Sequence, residues 1–426
     1  MTIQALYDIY KSHATVTTDT RKINKGDLFF ALKGPHFNGN AFAQQALEKG
    51  AAYAVVDEAE YSQNEKVILV ADALKALQDL AKHHRQQFSI PFLAITGSNG
   101  KTTTKELVHA VVSKKFRTYT TEGNLNNHIG IPLTILKVEG DAELAIVEMG
   151  ANHQKEIAGY CAYTLPTHAL ITNCGKAHLE GFGGVEGIRK GKGELYDFIR
   201  GHGGTIFLMD DYDYLHPMSN GIKNIVKYGT KDGFVAGTAS SSDPFLEVQF
   251  TNGLSGTLAT QLVGGYNLPN VLAAAAIGKY FGVVESDIKE AIAGYSPTNS
   301  RSQMMRKGTH EIILDAYNAN PSSMKVAIEN FAAMAAEKKV LVLGAMAEMG
   351  AAAAAEHQAL INLIEKHQWA DVLLVGKDFQ AGNHNYNTFA TATEAGEYLR
   401  TQNLTNSTLL IKGSRSAGME KLLPYL

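Results

Sequence analysis

Short apolar runs alternate with amphipathic stretches along the whole chain, the mark of strand–helix repeats. Over residues 1–88 the runs GDLFFALKG, AAYAVVDE and KVILVAD are separated by helical stretches such as AFAQQALEKG, which predicts a small α/β domain. The amphipathic segment Asp72 to Phe88 carries the chain into PFLAIT, an apolar strand that ends at Gly97. From there residues 89–298 form a second domain, with buried strands at AELAIVEMG, HALITN and GGTIFLMD and a helix at NLPNVLAAAAIGKYFG. These strands are continuous apolar runs rather than alternations, so the sheet is expected to be mostly parallel and covered on both faces. Between Lys223 and Gly264 the pattern shortens and Gly, Ser and Thr interrupt it, which predicts a small antiparallel patch. Residues 299–426 then read EIILDAY, helix, KKVLVLG, helix, DVLLVG, helix, STLLIKG, helix, a Rossmann-like succession. The fold class is therefore α/β in three domains: a small N-terminal unit, a central mostly parallel sheet and a C-terminal Rossmann-like unit. The third unit lacks the G-x-G-x-x-G fingerprint, so no nicotinamide or flavin site is expected there.

Composition narrows the function classes without choosing one. A 45% hydrophobic and 19% charged chain of 426 residues is an ordinary globular protein with room for several cores. The formal charge of -3 provides no global field for nucleic acid or membrane, so any phosphate binding must be local. Cys161 and Cys174 are too few for a disulfide framework and read as two buried free thiols in a reducing compartment. The opening MTIQALYDIYKSH has no apolar core and no small-residue cleavage site, and no apolar run reaches the roughly 18 residues of a membrane span. A cytoplasmic monomer is the expectation. The five alanines from Ala351 to Ala355 read as the start of a helix.

Chemistry concentrates at Thr96-Gly97-Ser98-Asn99-Gly100-Lys101-Thr102-Thr103, placed between an apolar strand and the helix TKELVHAVVSKKF. Glycines let such a loop fold so that several N–H groups converge on phosphate oxygens at a helix N-terminus. Lys101 adds a full positive charge and Thr102 a hydroxyl suited to Mg²⁺. Ile95 stands where the generic G-x-x-x-x-G-K-[ST] pattern has its first glycine, so the motif is incomplete as a string although its context is right. A second signal is Glu148, which ends the strand AELAIVEMG and so delivers a hard oxygen donor to the sheet edge where α/β proteins bind ligands.

With those residues in view the chain resembles the Mur ligase family over essentially its whole length. The loop T-G-S-N-G-K-T-T is similar to the family's own phosphate loop, which accounts for the missing glycine. E-G-N-L-N-N-H-I-G-I-P-L-T, V-E-M-G-A-N-H, A-H-L-E-G-F-G, G-K-G-E-L, Y-N-L-P-N, N-S-R, D-A-Y-N-A-N-P and K-G-S-R-S follow in family order. The Asn-rich and D-A-Y-N-A-N-P runs point to the branch that couples D-alanyl-D-alanine to UDP-N-acetylmuramoyl-tripeptide.

The resemblance implies ATP and Mg²⁺ as cofactors, an acyl-phosphate intermediate, and closure of the C-terminal domain over the nucleotide to exclude water. It assigns ATP contacts to Gly97, Ser98, Asn99, Gly100, Lys101, Thr102 and Thr103, to Asn267 and Asn270 near adenine, and to Arg301 and Asp315 with Asn318 beside them. Thr102, Glu148, His178 and Lys192 are implied metal ligands, Lys192 as a carbamate. Lys101, His178 and Lys192 are the implied catalytic set. Thr17 to Arg21 and Ala31 to Gly39, with Thr20, Arg21, Lys33, Gly34 and Asn38, resemble uridine-binding segments, and Asn124, Asn126 and Asn127 face the sugar-peptide. Asn267 and Asn270 could equally cap the following helix, and Asp19 could be an ordinary turn residue. Two positions depart from the family pattern. Ala345 replaces an acid in Gly344-Ala345-Met346, and Tyr266 replaces a common histidine. Open alternatives are another ligase of this superfamily, adding a single amino acid or glutamate to folate, and a P-loop regulatory ATPase.

Overall fold

The computed structural model describes residues 1–13, 15–402 and 404–426. Its N-terminal sheet is parallel, in the order Val16–Thr17, Leu28–Phe30, Tyr53–Val56, Val67–Leu69. Every residue of Leu28–Phe30 is buried, because both faces are covered. Phe29, Ala54 and Val56 pack with Ala43 and Ala46 of the helix Ala43–Glu48 on one side. Leu28, Phe30 and Val55 pack on the other side with the helices Ile3–Lys11 and Ala73–Arg85. Ala73–Arg85 starts at Asp72, whose carboxylate accepts the Lys75 N–H at 2.8 Å. It buries Leu77, Leu80, Ala81 and His84, a stripe at helical spacing.

That stripe belongs to a core continuous with the central domain. Arg85 fastens the junction: its guanidinium donates to the carbonyls of Thr164, Leu165 and Phe88 at 2.8 to 3.0 Å and lies 3.9 Å from the Phe92 ring centroid. His84 pairs with the Val138 carbonyl at 2.8 Å, and the Tyr10 hydroxyl donates to the Leu136 carbonyl at 2.5 Å.

The central sheet has nine strands, in the order Thr257–Val263, Phe245–Asn252, Val235–Ser242, Asn224–Gly229, Thr205–Met209, His168–Ile171, Phe92–Thr96, Leu144–Glu148, Thr118–Thr120. It is parallel from Thr118 through Val235 and antiparallel in its last two pairings, so the expected antiparallel patch is a meander on one edge. Phe92–Thr96 sits in the middle, paired with Leu144–Glu148 on one side and His168–Ile171 on the other. The carboxyl ends of these three strands therefore open onto one crevice, the usual ligand position in such sheets.

The C-terminal sheet runs Gln303–Lys307, His310–Asp315, Thr408–Lys412, Lys339–Gly344, Asp371–Val375, Asn387–Phe389. Its core strands are parallel as expected, but two strands are additional to the sequence reading. Gln303–Lys307 is an antiparallel partner of His310–Asp315, and Asn387–Phe389 is a three-residue edge. The closing helix expected after STLLIKG is two 3₁₀ segments, Arg415–Ala417 and Met419–Tyr425. Gly418, in the left-handed region at φ 57°, separates them and Pro424 lies inside the second, which prevents a regular α-helix. The alanine run does begin a helix, Ala353–Ile364. Cys161 and Cys174 are buried and free. Among the described residues no helix is long and apolar enough to cross a membrane.

Candidate active site

The phosphate loop leaves the buried strand Phe92–Thr96 and enters the helix Lys101–Val112 through two glycines that no other residue could replace cheaply. Gly97 and Gly100 have φ of 145° and 78°, and a side chain at either would collide with Thr172 Oγ1 at 1.9 Å or Asn270 Oδ1 at 2.6 Å. The turn that follows His168–Ile171 braces the loop from below. Ser98 donates through its amide to the Asn173 carbonyl at 2.9 Å and through its hydroxyl to the Gly175 carbonyl at 2.7 Å, while the Thr172 hydroxyl donates to the Asn99 carbonyl at 2.6 Å. The loop is preorganised rather than loose.

Lys101 folds over this loop, donating to the carbonyls of Gly97 at 2.7 Å and Ser98 at 3.2 Å. Burial lowers its amine to about 8, with the Glu148 carboxylate working against that shift and the Arg301 cation reinforcing it. An arriving phosphate would relieve the burial cost by supplying the missing counter-charge.

Glu148 ends its strand almost wholly buried. One carboxylate oxygen accepts from Asn126 Nδ2 at 2.7 Å, and the other is buried without a partner among the described residues. An orphaned buried carboxylate oxygen at the mouth of a phosphate loop fits a divalent cation. Among the described residues no three His, Cys, Asp or Glu side chains gather as a ready-made metal cluster. That donor set matches an ion such as Mg²⁺, which takes one or two carboxylates and completes its shell with phosphate oxygens and water.

His178 and Lys192 occupy different surroundings. His178 Nδ1 bonds Glu348 of the C-terminal domain, and this pairing holds the Glu348 carboxyl below its usual range. Both residues have left-handed backbone, at φ 52° and 60°, a strain that persists only where surrounding structure enforces it. Lys192, on the helix Val185–His202, is 1% exposed. Its nitrogen makes one hydrogen bond, to the Ala151 carbonyl at 3.1 Å, and lies 5.0 Å from the Phe182 ring centroid. Burial, helped by the Lys101 charge, brings this amine down to about 7. Lys192 thus sits behind the cleft wall, which it touches through Ala151.

Asn267 is the N-cap residue of the helix Leu268–Tyr280, but among the described residues its side chain makes no capping hydrogen bond. Asn267 and Asn270 form a relay in which Asn267 donates to the Val263 carbonyl, Asn270 donates to Asn267, and Thr104 of the phosphate-loop helix donates to Asn270, at 2.8 to 3.0 Å. Asn127 Oδ1 accepts the amides of Ile129 and Gly130 at the start of Gly130–Leu136, so this asparagine holds a helix end while its surface faces the cleft.

The facing wall comes from the C-terminal domain. The Arg301 guanidinium lies 3.7 Å from the Tyr317 ring centroid, and its Nε has no partner among the described residues. Asp315, ending the strand His310–Asp315, accepts from Lys412 Nζ at 2.5 Å and from the Ser302 amide at 3.2 Å. Asn320 donates to Asn99 of the phosphate loop at 2.7 Å, and the Lys176 amide donates to the Ser322 hydroxyl at 2.9 Å. The Tyr266 hydroxyl donates to Ser302 at 2.7 Å, so the substituted ring still bridges the two domains. The walls enclose a cleft of about 1080 Å³.

Of the sequence-derived candidates, Ser98 to Thr103, Asn124, Asn126, Asn127, Glu148, His178, Asn267, Asn270, Arg301, Asp315 and Asn318 line this one cleft. Thr20, Arg21, Lys33, Gly34 and Asn38 lie outside it, on the N-terminal domain. There Arg21 and Asp19 form a bidentate pair at 2.8 and 2.9 Å, and that hydrogen bonding lowers Asp19 to about 2. Lys33 is held by Asp57 at 3.0 Å and Glu58 at 3.4 Å, and Asn38 donates to Glu58 at 2.8 Å. No hydrogen bond joins the Thr20–Arg21 turn to the Lys33–Asn38 hairpin among the described residues. Ala345 packs against the C-terminal core, and its carbonyl accepts from the Ser414 hydroxyl at 2.6 Å. Sequence reasoning gave no role to Lys412, Glu348, Tyr317, Asn320 or Arg415, although four of these stand within the matched motifs D-A-Y-N-A-N-P and K-G-S-R-S.

Family models and known proteins match most of the chain. Residues 13–85 match the Mur ligase family catalytic domain, 95–278 the Mur ligase middle domain and 300–415 the Mur ligase glutamate ligase domain. The chain is 38% identical over 348 residues to UDP-N-acetylmuramoyl-tripeptide–D-alanyl-D-alanine ligase of Bacillus subtilis, covering 79% of this chain and 74% of that protein. It is 36% identical over 430 residues to the Escherichia coli ligase of the same name, covering 96% and 93%. The crystal structure of the MurF ligase from Thermotoga maritima in complex with ADP superposes with a TM-score of 0.87 at 25% identity, covering 98% of this chain and 97% of that one.

Proposed function

The chain belongs to the Mur ligase family, and we propose that its activity is the ATP-dependent joining of D-alanyl-D-alanine to UDP-N-acetylmuramoyl-tripeptide, a step of peptidoglycan precursor synthesis. The observation that carries this reading is the single cleft in which the phosphate loop, the orphaned oxygen of Glu148 and the cations and acid of a second domain face one another. Full-length similarity to ligases of that name supports the choice of amine and acceptor over the single-amino-acid and folate branches.

A free carboxylate resists attack because the nucleophile would add charge to an anion. Transfer of the γ-phosphoryl group of ATP to the tripeptide carboxylate breaks the β–γ P–O bond and forms an acyl phosphate, leaving ADP. The amine of the dipeptide then attacks the acyl carbon, phosphate leaves, and the amine proton passes to solvent or base. Lys101 balances charge on the transferred group, and loop amides from Ser98 to Thr103 position it. Asn267 and Asn270 tie the loop's helix to the meander edge and so hold Lys101 in register. Arg301 and Asp315 reach the nucleotide from the C-terminal domain, and contacts such as Asn320 to Asn99 exclude water while the acyl phosphate exists. Magnesium, when bound, supplies charge neutralisation on the phosphate oxygens; Thr102 and Glu148 would hold it, with His178 and Lys192 completing the set.

For Lys192 we propose the carbamate, formed when the neutral amine adds to carbon dioxide and releases one proton. A buried amine lowered to about 7 with a single hydrogen bond is poorly satisfied as an ammonium and reactive as a free base. The Thr17–Arg21 and Ala31–Gly39 segments are proposed to hold the uridine end of the acceptor, and the protein is proposed to act as a cytoplasmic monomer. Trapping tests the mechanism: ATP, the tripeptide acceptor and hydroxylamine without dipeptide should yield the acceptor hydroxamate. Its absence, with ligation intact, would reject the acyl phosphate.

A further inference from the structure

The phosphate-loop helix Lys101–Val112 carries a second lysine that the chemistry above does not use. Lys105 is 1% exposed and reaches the end of the strand Thr118–Thr120, where its ammonium donates to the Thr121 carbonyl at 2.7 Å. It also pairs with the Glu106 carboxylate, which is partly exposed. A buried ammonium is an unfavourable way to fill this space, which an apolar chain of equal length would fill at less desolvation cost. What the lysine supplies is therefore the bond that it makes.

Thr121 is a junction. It is fully buried, its amide donates to the Ile146 carbonyl at 3.1 Å, and its hydroxyl accepts the Glu148 amide at 3.0 Å. One turn of chain further on, residues 124–127 face the cleft and are fastened to the same strand end. Asn126 donates to the Glu148 carboxylate at 2.7 Å, and its carbonyl accepts the Gly150 amide at 2.8 Å. A side chain at Gly150 would meet Asn126 Oδ1 at 2.9 Å, so the loop lies tight against this strand end. The strand Leu144–Glu148 thus holds the loop at both ends, and Lys105 ties that assembly to the helix that presents Lys101.

The consequence rests on the proposed reaction, in which this asparagine loop faces the acceptor. In-line transfer needs the acceptor carboxylate and the γ-phosphoryl group in contact, and a small displacement of one against the other costs much of the rate. The phosphate loop has its own brace, the turn after His168–Ile171, in which Lys105 takes no part. We infer that Lys105 is a positioning residue: through Thr121 it holds the acceptor-binding loop in register with the phosphate loop, and so serves the acceptor rather than the nucleotide.

ADP titration and steady-state kinetics with varied tripeptide acceptor test this on the full chain, using Lys105→Met, Lys105→Gln and Glu106→Gln. Lys105→Met keeps the length and removes the donor. It should raise the acceptor KM about tenfold and lower kcat, while the ADP Kd and the dipeptide KM stay within about twofold of wild type. Lys105→Gln, which keeps a donor on a shorter stem, should recover part of the loss. Glu106→Gln leaves the bond to Thr121 in place and should keep the acceptor KM within about twofold. A lysine that only stabilises the fold would lower the active fraction, and with it kcat, at an unchanged acceptor KM. That result overturns the inference while leaving the ligase reading intact. So does an ADP affinity weakened as much as the acceptor KM, or a Glu106→Gln variant as impaired as Lys105→Met. If Lys105→Met does not fold, the acceptor KM and ADP Kd of Lys105→Gln decide on the same terms. A wild type that forms no product from acceptor and dipeptide overturns the reading and the inference together.

Discussion

Lys101 and Glu148 were legible in sequence because each is marked locally, one by its glycine loop and the other as the acid that ends an apolar strand. The long-range pairs around the cleft were not. Lys412 meets Asp315 across 97 positions, Glu348 meets His178 across 170, and Asn320 meets Asn99 across 221, so no short window of sequence contains any of these pairs. Two predictions belong at this scale. Lys101→Ala should lower kcat to below a tenth of wild type, a loss beyond about 1.4 kcal/mol of transition-state stabilisation, with the melting temperature little changed. Activity above a tenth in a phosphate-release assay would contradict its assigned role. Lys192→Ala should be nearly inactive and partly rescued by a short carboxylic acid in the buffer, which supplies the oxygens of the lost carbamate. A mutant active without that supplement would remove the carbamate from the mechanism.

Elements were read well where apolar runs were long and poorly where they were short. The strand Phe92–Thr96 is buried at all five positions and announces itself, whereas Gln303–Lys307 carries polar and half-buried residues and is a strand only because His310–Asp315 pairs with it. The helix Ala73–Arg85 was legible, but its pattern could not show that it joins two domains. Arg85→Ala should therefore cost about 3 kcal/mol in chemical denaturation, since three carbonyls lose their donor at a buried junction. A cost under about 1 kcal/mol would mean that the junction tolerates its loss.

His168 opens the strand His168–Ile171 beside Phe207, Tyr280 and Phe281, and burial lowers its imidazole to about 4. Between that value and the ordinary 6.5 the unfolded chain binds the proton and the folded chain does not, so stability should fall as pH drops through this window. Denaturation midpoints of His168→Gln should fall less than those of wild type between pH 6.5 and 4.5. Parallel curves would assign the acid sensitivity elsewhere.

At the scale of the molecule, the first two sheets share one core while the C-terminal sheet has two others, one of which takes in Val263 of the central meander. Its contacts with the centre include a set of polar ones: Asn320 to Asn99, Ser322 to Lys176, Glu348 to His178, Ser302 to Tyr266. An interface of that kind permits relative motion. The C-terminal domain should therefore shift against the centre when an ATP analogue and the UDP-acceptor bind, seen as a smaller radius of gyration in solution scattering. Identical profiles would count against closure. The three domains were legible as periodicity, but their meeting in one cleft required the fold, because Arg301 and Asp315 carry no local sign of facing Lys101.

The central claim is the identity of the bond that is made. Purified protein with ATP, Mg²⁺ and UDP-N-acetylmuramoyl-tripeptide should be offered D-alanyl-D-alanine, D-glutamate, L-lysine or diaminopimelate in separate reactions, and the products weighed by mass spectrometry. The account predicts an acceptor heavier by one D-alanyl-D-alanine less one water, one phosphate released per product, and no adduct with the single amino acids. An adduct with any single amino acid at a comparable rate, or ATP hydrolysis that proceeds equally without acceptor and amine, would contradict it.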